Sequence, residues 1–244
     1  QRVADVVGLE VVLPDGELVR VGWWPNTSDR RSTAINPYGL GPSLLQLFAQ
    51  SDFGIATAAV VRLIPRPERM RVLRFTFAAS DLKPAVEELR RWVSQRLVHG
   101  VLKIYDTTAN RLYGGASSGY NVHICVDGAA AAVEGMAEVV MAEAHRSGVL
   151  TPLPDSEEAQ DTHEDVVRTM VDNAYAGDPS TNDRLLEATF GCDASGVDSG
   201  ELGWLFFLPL VPFRGEDVQH AYELLEQVHD ETGILPGATV NALD

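Results

Sequence analysis

The sequence predicts an α+β protein, and three observations carry that prediction. Apolar runs of strand length are interleaved with helical patterns whose apolar residues recur every three or four positions. From about residue 71 onward the order strand, helix, strand repeats. The proline pair Pro65 and Pro67 separates this region from a strand-rich beginning. With 244 residues, 45% hydrophobic and 22% charged, the chain has the composition of a folded globular protein and can bury a sizeable core.

The first stretch reads as a hairpin. The apolar run Val6 to Leu13 meets Pro14-Asp15-Gly16-Glu17 and returns as Leu18 to Val21. Proline presets φ, aspartate bonds its own backbone, and glycine accepts positive φ, so the three together specify a tight turn. A polar loop from Trp23 to about Gly41 follows, with Arg30 and Arg31 expected on the surface. Ser43 is placed to cap a short helix whose Leu44, Leu45, Leu47 and Phe48 should face inward. After the turn Gln50 to Gly54, the nearly all-apolar run Ile55 to Ile64 predicts a strand covered on both faces. The change in composition after it places a domain boundary between residues 1–67 and 68–244.

In the second region, a strand Val72 to Phe77 leads into a helix Ser80 to Leu97 and a strand Val101 to Tyr105. Leu82, Val86, Leu89, Val93 and Leu97 form the apolar stripe, and Ser80 with Asp81 supplies the cap. A strand Asn121 to Val126 then enters an alanine-rich helix carrying Val133, Met136 and Val140 and closed by Gly148; its returning strand is not evident. Ser156 to Tyr175 reads as another helix. A last unit runs from Trp204 to Leu210, through a helix from Glu216 to about Glu231 ended by Gly233, to Ala238 to Leu243. Such units build one mixed or antiparallel sheet with helices on one face, in a ferredoxin-like manner.

A formal charge of -16 repels phosphate backbones and anionic lipid, so neither nucleic acid nor a membrane surface is an expected partner. No apolar run is long enough for a spanning helix, and the N-terminus has no signal-peptide pattern, which leads to an expected cytoplasmic location. Cys125 and Cys192 lack metal or redox spacing, and His99, His123, His145, His163, His220 and His229 share no ligand or triad spacing. The acidic run Asp155 to Asp165 has no glycine-punctuated cation loop and reads as a solvated helix face, with His163-Glu164 a weak exception. No metal site is expected. Gly39-x-Gly41 is no dinucleotide fingerprint, since no strand leads into it and Leu44 stands at the third glycine position. Tyr105, Tyr113 and Tyr120 offer hydroxyl donors near strand ends, but residue types alone single out no catalytic group.

Four segments in order carry a resemblance. They are Gly8-Leu9-Glu10-Val11-Val12-Leu13-Pro14-Asp15-Gly16-Glu17, Pro37-Tyr38-Gly39-Leu40-Gly41-Pro42, Leu47-Phe48-Ala49-Gln50-Ser51-Asp52-Phe53-Gly54-Ile55-Ala56-Thr57, and the closing Leu63-Ile64-Pro65-Arg66-Pro67. Together they resemble the end of the flavin domain in the vanillyl-alcohol oxidase and p-cresol methylhydroxylase (PCMH) family. The resemblance implies the second subdomain of a PCMH-type FAD-binding domain over residues 1–67. A cap domain, with a mixed or antiparallel sheet and flanking helices, follows over residues 68–244, incomplete at its C-terminus. It also implies FAD as cofactor, with Phe53, Gly54, Ile55 and Ala56 lying against its dinucleotide part. Asp52 stands where the family usually has asparagine, and Ala56 where it has valine.

The chain starts Gln1-Arg2-Val3 without an initiator methionine, and the resemblance places the family's pyrophosphate-gripping loop in a subdomain ahead of residue 1. The expectation is therefore a fragment or subunit of an FAD-dependent oxidoreductase acting on a small phenolic or alcohol substrate. FAD would bind only once the missing subdomain is supplied, by the same protein or by a complementary chain, and a homo-oligomer is expected from the cap. The alternative is a flavin-less descendant that binds a small molecule, as a cofactor-free cyclase or accessory subunit. Asp52 and the absent loop favour that alternative.

Overall fold

The computed structural model describes residues 3–24, 42–112, 118–154, 166–183, 187, 195–196, 199–200 and 207–242. These divide into two compact units, Gln1–Arg66 and Pro67–Asp244. The motif Pro37 to Gly41, the acidic run, Tyr113, His163, Cys192 and Trp204 lie outside the described residues.

The first unit is a three-stranded antiparallel sheet in the order β2-β1-β3, with β1 Val6–Val12, β2 Leu18–Gly22 and β3 Ile55–Val61. The hairpin forms as read. Leu13 donates to the Glu17 carbonyl at 2.9 Å, and the Asp15 carboxylate accepts the Glu17 N–H at 3.0 Å. Gly16 at φ 85 takes the left-handed position that a Cβ would disfavour. Leu9, Val11 and Leu45 make the core of this unit, with Val19, Val21 and Phe48 packed against it.

Two local expectations change here. The segment after Ser43 is a single 3₁₀ turn, Leu45–Phe48, in which Ser43 Oγ accepts the Leu45 N–H at 3.3 Å. In so short a turn only Leu45 is buried, whereas Leu44 and Leu47 stay exposed. The strand β3 is a sheet edge paired to β1 alone, and most of it is exposed rather than covered on both faces. An apolar run specifies burial somewhere, but among the described residues nothing covers this one.

The second unit is a five-stranded, wholly antiparallel sheet in the order β7-β4-β6-β5-β8. Its strands are β4 Arg69–Phe77, β5 His99–Tyr105, β6 Tyr120–Gly128, β7 Thr151–Pro152 and β8 Thr239–Ala242. Helix α1 Leu82–Ser94 joins β4 to β5, and α3 Ala130–Ser147 joins β6 to β7. The short α2 Thr107–Leu112 lies between β5 and β6. The result is a ferredoxin-like β-α-β-β-α-β arrangement, extended at the β5 edge by β8 after helix α5 Gly215–Thr232. The returning strand that the sequence leaves unclear is only two residues long, too short for any alternation to show.

The sheet has two unlike faces. Leu73, Phe75 and Phe77 of β4, Leu102 and Ile104 of β5, and Val122, Ile124 and Val126 of β6 turn to the core shared with α1, α3 and α5. Trp92 of α1 completes this core, with its ring edge-on to Phe75 at 5.5 Å and its Nε1 donating to Glu88 at 2.8 Å. The stripe read from the sequence omits Trp92, and in place of Leu97, beyond the helix end, Ala85 and Trp92 fill the buried face. Neither Ser80 nor Asp81 makes a side-chain cap; a 3₁₀ turn over Ala79–Asp81 leads in instead. Gly148, at φ 67, closes α3 in the left-handed conformation expected of it.

Helix α4 Val166–Ala176 does not join α1, α3 and α5. Its Val171 and Tyr175 pack on the other sheet face, with Met70, Val72, Tyr105 and Ala109. Helices therefore lie on both faces rather than on one. Residues 207–212 form no strand, so the described part of the expected strand Trp204 to Leu210 lies outside the sheet. Its Phe207, Leu208 and Leu210 are exposed.

Candidate functional site

In the first unit, the residues singled out for a cofactor stand where the 3₁₀ turn runs into the edge strand. Phe53 and Ile55 hold their side chains out at 58% and 73% exposure. Ala56 lines an open groove of about 440 Å³ with Val6, Leu9, Leu45, Phe48 and Gln50. Gln50 at the rim takes a left-handed φ of 52. Successive residues of a strand point to opposite faces, so Ile55 and Ala56 offer apolar surface on the two sides of β3, and the Ala56 side forms the groove.

Gly54 has a reason of its own. A Cβ there would come within 2.5 Å of Val11 Cγ1 and 2.8 Å of the Val12 carbonyl oxygen, so the residue is glycine because β1 lies against it. Next to it the β1–β3 register slips by one residue between Glu10 and Val11. Thr57 at this bulge donates to Glu10 Oε1 at 3.0 Å, and Arg20 pairs with the same carboxylate at 2.8 Å. These two hydrogen-bond donors hold the Glu10 carboxyl below its usual pKa range. The bulge is thus tied down from both neighbouring strands.

In the second unit, the polar residues gather on the α4 side of the sheet. Arg74 of β4 pairs with His123 of β6, and His123 pairs with Lys103 of β5, so three basic side chains stand in one row across three strands. Arg74 is buried and ion-paired with Asp172 of α4. His123 is 3% exposed, and among the described residues neither ring nitrogen meets a hydrogen-bond partner. Burial first, then the Arg74, Lys103 and Arg168 charges, push its pKa down to about 3, so the imidazole is neutral.

Tyr105 stands edge-on to the His123 ring at 5.5 Å. The Tyr175 hydroxyl donates to the carbonyl of Val101 and lies 3.3 Å from that of His123, filling the gap left by the β5–β6 register shift. In the neighbouring row Asn121 donates to Asn110 Oδ1 at 2.9 Å, while Asn110 Nδ2 and Asn121 Oδ1 are buried with no partner among the described residues. Asp106 accepts the N–H groups of Ala109 at 2.6 Å and Ala238 at 2.9 Å; burial nonetheless raises its pKa.

None of these residues except Tyr105 and the histidine inventory was singled out by the sequence, because the row exists only through register. His99 pairs with Asp127 at 2.6 Å, and His220 and His229 are surface residues of α5. Tyr120 stacks on Phe77 at 5.1 Å inside the helix-covered core, away from the Arg74–His123–Lys103 row. Among the described residues no group of acidic, histidine or cysteine side chains could hold a metal ion, and no helix is long and apolar enough to cross a membrane.

No protein-family model matches the chain. Among characterised proteins it is similar to the 1'-carboxy-chondrochloren decarboxylase of Chondromyces crocatus, with 33% identity over 93 residues, 37% of this chain and 17% of that protein. It is also similar to the glycolate oxidase subunit GlcD of Bacillus subtilis (strain 168), with 26% identity over 101 residues, 41% of this chain and 19% of that one. Among solved structures, p-cresol methylhydroxylase with substrate bound superposes at a TM-score of 0.71 and 19% identity, covering 98% of this chain and 49% of that chain. The isoeugenol complex of 4-ethylphenol oxidase from Gulosibacter chungangensis superposes at 0.73 and 20% identity, covering 96% and 48%. The chain spans about half the length of these two solved chains. The resemblance carried by the motifs is thereby matched in three dimensions: across nearly its whole length the chain has the fold of p-cresol methylhydroxylase and 4-ethylphenol oxidase.

Proposed function

We propose that the chain is part of an FAD-linked oxidoreductase that oxidises a small phenol or alcohol. The observation that carries this reading is the fold shared with two enzymes whose names specify phenolic substrates, over 98% and 96% of the chain. In this reading residues 1–67 end the flavin domain and residues 68–244 belong to the cap. Phe53, Ile55 and Ala56 would cover the dinucleotide part of FAD with apolar surface, and the Gly54 backbone would lie beside it. Their exposure fits that role, since an apolar wall of this kind is otherwise left in water. Bound FAD would supply the hydride acceptor, and the protein would supply binding and orientation. A complementary segment or chain would provide the opposite wall, and a cytoplasmic homo-oligomer belongs to the same reading.

The test is to express the chain with and without the remainder of its reading frame and to record the visible flavin spectrum. A yellow product that is bleached anaerobically by p-cresol or 4-ethylphenol is expected from the longer form. A colourless product that takes up no added FAD in either form would overturn the reading.

A second reading, a flavin-less relative binding a small molecule as a cofactor-free cyclase or accessory subunit, has one observation in its favour. Gly54 is fully accounted for by its packing against Val11 and Val12, with no ligand required. Calorimetry in which FAD gives no heat while an apolar metabolite binds would select it.

A further inference from the structure

The C-terminal part of the second unit carries charge of one sign. Residues 215–242 hold six carboxylates, Glu216, Asp217, Glu223, Glu226, Asp230 and Glu231, and neither lysine nor arginine. Lys83 pairs with Glu216, Arg214 with Asp217 and His220 with Glu223, whereas among the described residues no ion pair reaches Glu226, Asp230 or Glu231. Asp230 and Glu231 stand in the last turn of α5, at the negative end of the helix dipole, where a carboxylate works against the helix. The stability of α5 gives no reason for them.

Beside these charges lies an apolar ledge. Leu224 and Val228, four positions apart on one flank of α5, are both exposed. The chain beyond the helix is folded back over its last turn. Gly233, at φ 72, donates to the His229 carbonyl at 2.7 Å, and the Ile234 N–H donates to Thr232 Oγ1 at 3.2 Å. The Ile234 carbonyl in turn accepts from His229 Nδ1 at 2.9 Å. Ile234 is thereby tied to the helix end, yet its side chain and that of Leu235 are exposed. Large apolar side chains held at the surface and rimmed by carboxylates mark an interaction surface.

The sign of the charge selects the occupant. A second copy of this chain, with its formal charge of -16 and the same acidic rim, is repelled, as are anionic lipid and nucleic acid. We propose that this end of α5 is the docking site for a cationic amphipathic segment of a partner protein. Its apolar side chains lie on Leu224, Val228, Ile234 and Leu235, and its Lys or Arg side chains pair with Asp230 and Glu231. Every group involved belongs to the second unit, so the proposal does not depend on the flavin reading.

The test uses the 244-residue chain. An amphipathic peptide of about 14 leucines and lysines is titrated by calorimetry and methyl NMR, beside one with glutamate for lysine and one with serine for leucine. Saturable binding of the leucine–lysine peptide alone, moving the Leu224, Val228, Ile234 and Leu235 methyl signals, is expected. Asp230→Asn combined with Glu231→Gln, and separately Val228→Ser, should each weaken binding about tenfold with little change in unfolding temperature, since all three side chains are exposed. No saturable binding overturns the proposal. So does equal binding of the serine–lysine peptide, which would mean charge alone, or a wild-type map that places the perturbations elsewhere; that map needs no variant to fold. Sedimentation showing a dimer of the chain that Val228→Ser dissociates would overturn it in favour of a second copy. A longer form from the same reading frame whose ledge methyls no longer respond to the peptide would overturn it in favour of the protein's own remainder.

Discussion

Replacing Gly54 by alanine separates what this glycine does for the protein from what it would do for a ligand. The new Cβ meets the Val11 methyl at 2.5 Å and the Val12 carbonyl oxygen at 2.8 Å. The methyl can turn away, but the carbonyl belongs to β1, the central strand of its sheet, and cannot move without disturbing the ladder. Overpacking of this kind costs about 1–3 kcal/mol. Loss of glycine's freedom in the unfolded chain offsets about 0.4–1 kcal/mol of that. The net destabilisation is then roughly 0–2.6 kcal/mol, and the backbone contact favours the upper half, about 1.3–2.6 kcal/mol. In a unit of the size of Gln1–Arg66, that upper half corresponds to a fall in melting temperature of roughly 5–20 °C. Thermal unfolding without FAD, with hydrogen exchange of the β1 and β3 amides as a local readout, measures it. An unchanged melting temperature and unchanged exchange, together with a loss of FAD affinity, would refute the packing argument and assign the glycine to the ligand alone.

Three further perturbations test other parts of the structure. Ile55→Ser, at a side chain already 73% exposed, should alter stability by less than about 0.5 kcal/mol and, under the proposed function, lower the uptake of FAD; a large loss of stability would show that Ile55 is covered. Asp172→Ala removes the counter-ion of buried Arg74, and urea unfolding should show a loss of about 2–3 kcal/mol. That is below the 3–5 kcal/mol of a fully buried pair, because Asp172 is partly exposed; a loss under 1 kcal/mol would contradict the pairing. Between pH 6.5 and about 3 the unfolded chain binds a proton that buried His123 refuses, so stability is fully present above pH 6.5 and falls with acid by up to about 1.4 kcal/mol per unit. In the window from pH 6.5 to 5, above the titration of most carboxylates, His123→Leu should flatten that slope and be neutral or stabilising near pH 7, since it removes two orphan nitrogens. An unchanged slope would mean that His123 titrates normally.

The sequence by itself determined the parts of this protein whose physics is local. The Pro14-Asp15-Gly16 turn, the stripe of Leu82, Val86 and Leu89, and the glycine stops after α3 and α5 follow from φ preferences and from helical periodicity, each complete within a few residues. The resemblance also lay in the sequence, because ordered motifs are linear. Only the tertiary structure decided what depends on pairing between distant strands. Arg74, Lys103 and His123 come from separate strands, and the register of β4, β6 and β5 brings them into one row; a slip of one residue would send each to the opposite face. The placing of α4 on that face, the edge position of β3 and the clash that requires glycine at residue 54 have the same origin. An apolar run tells that its residues can be covered, and strand order decides whether they are.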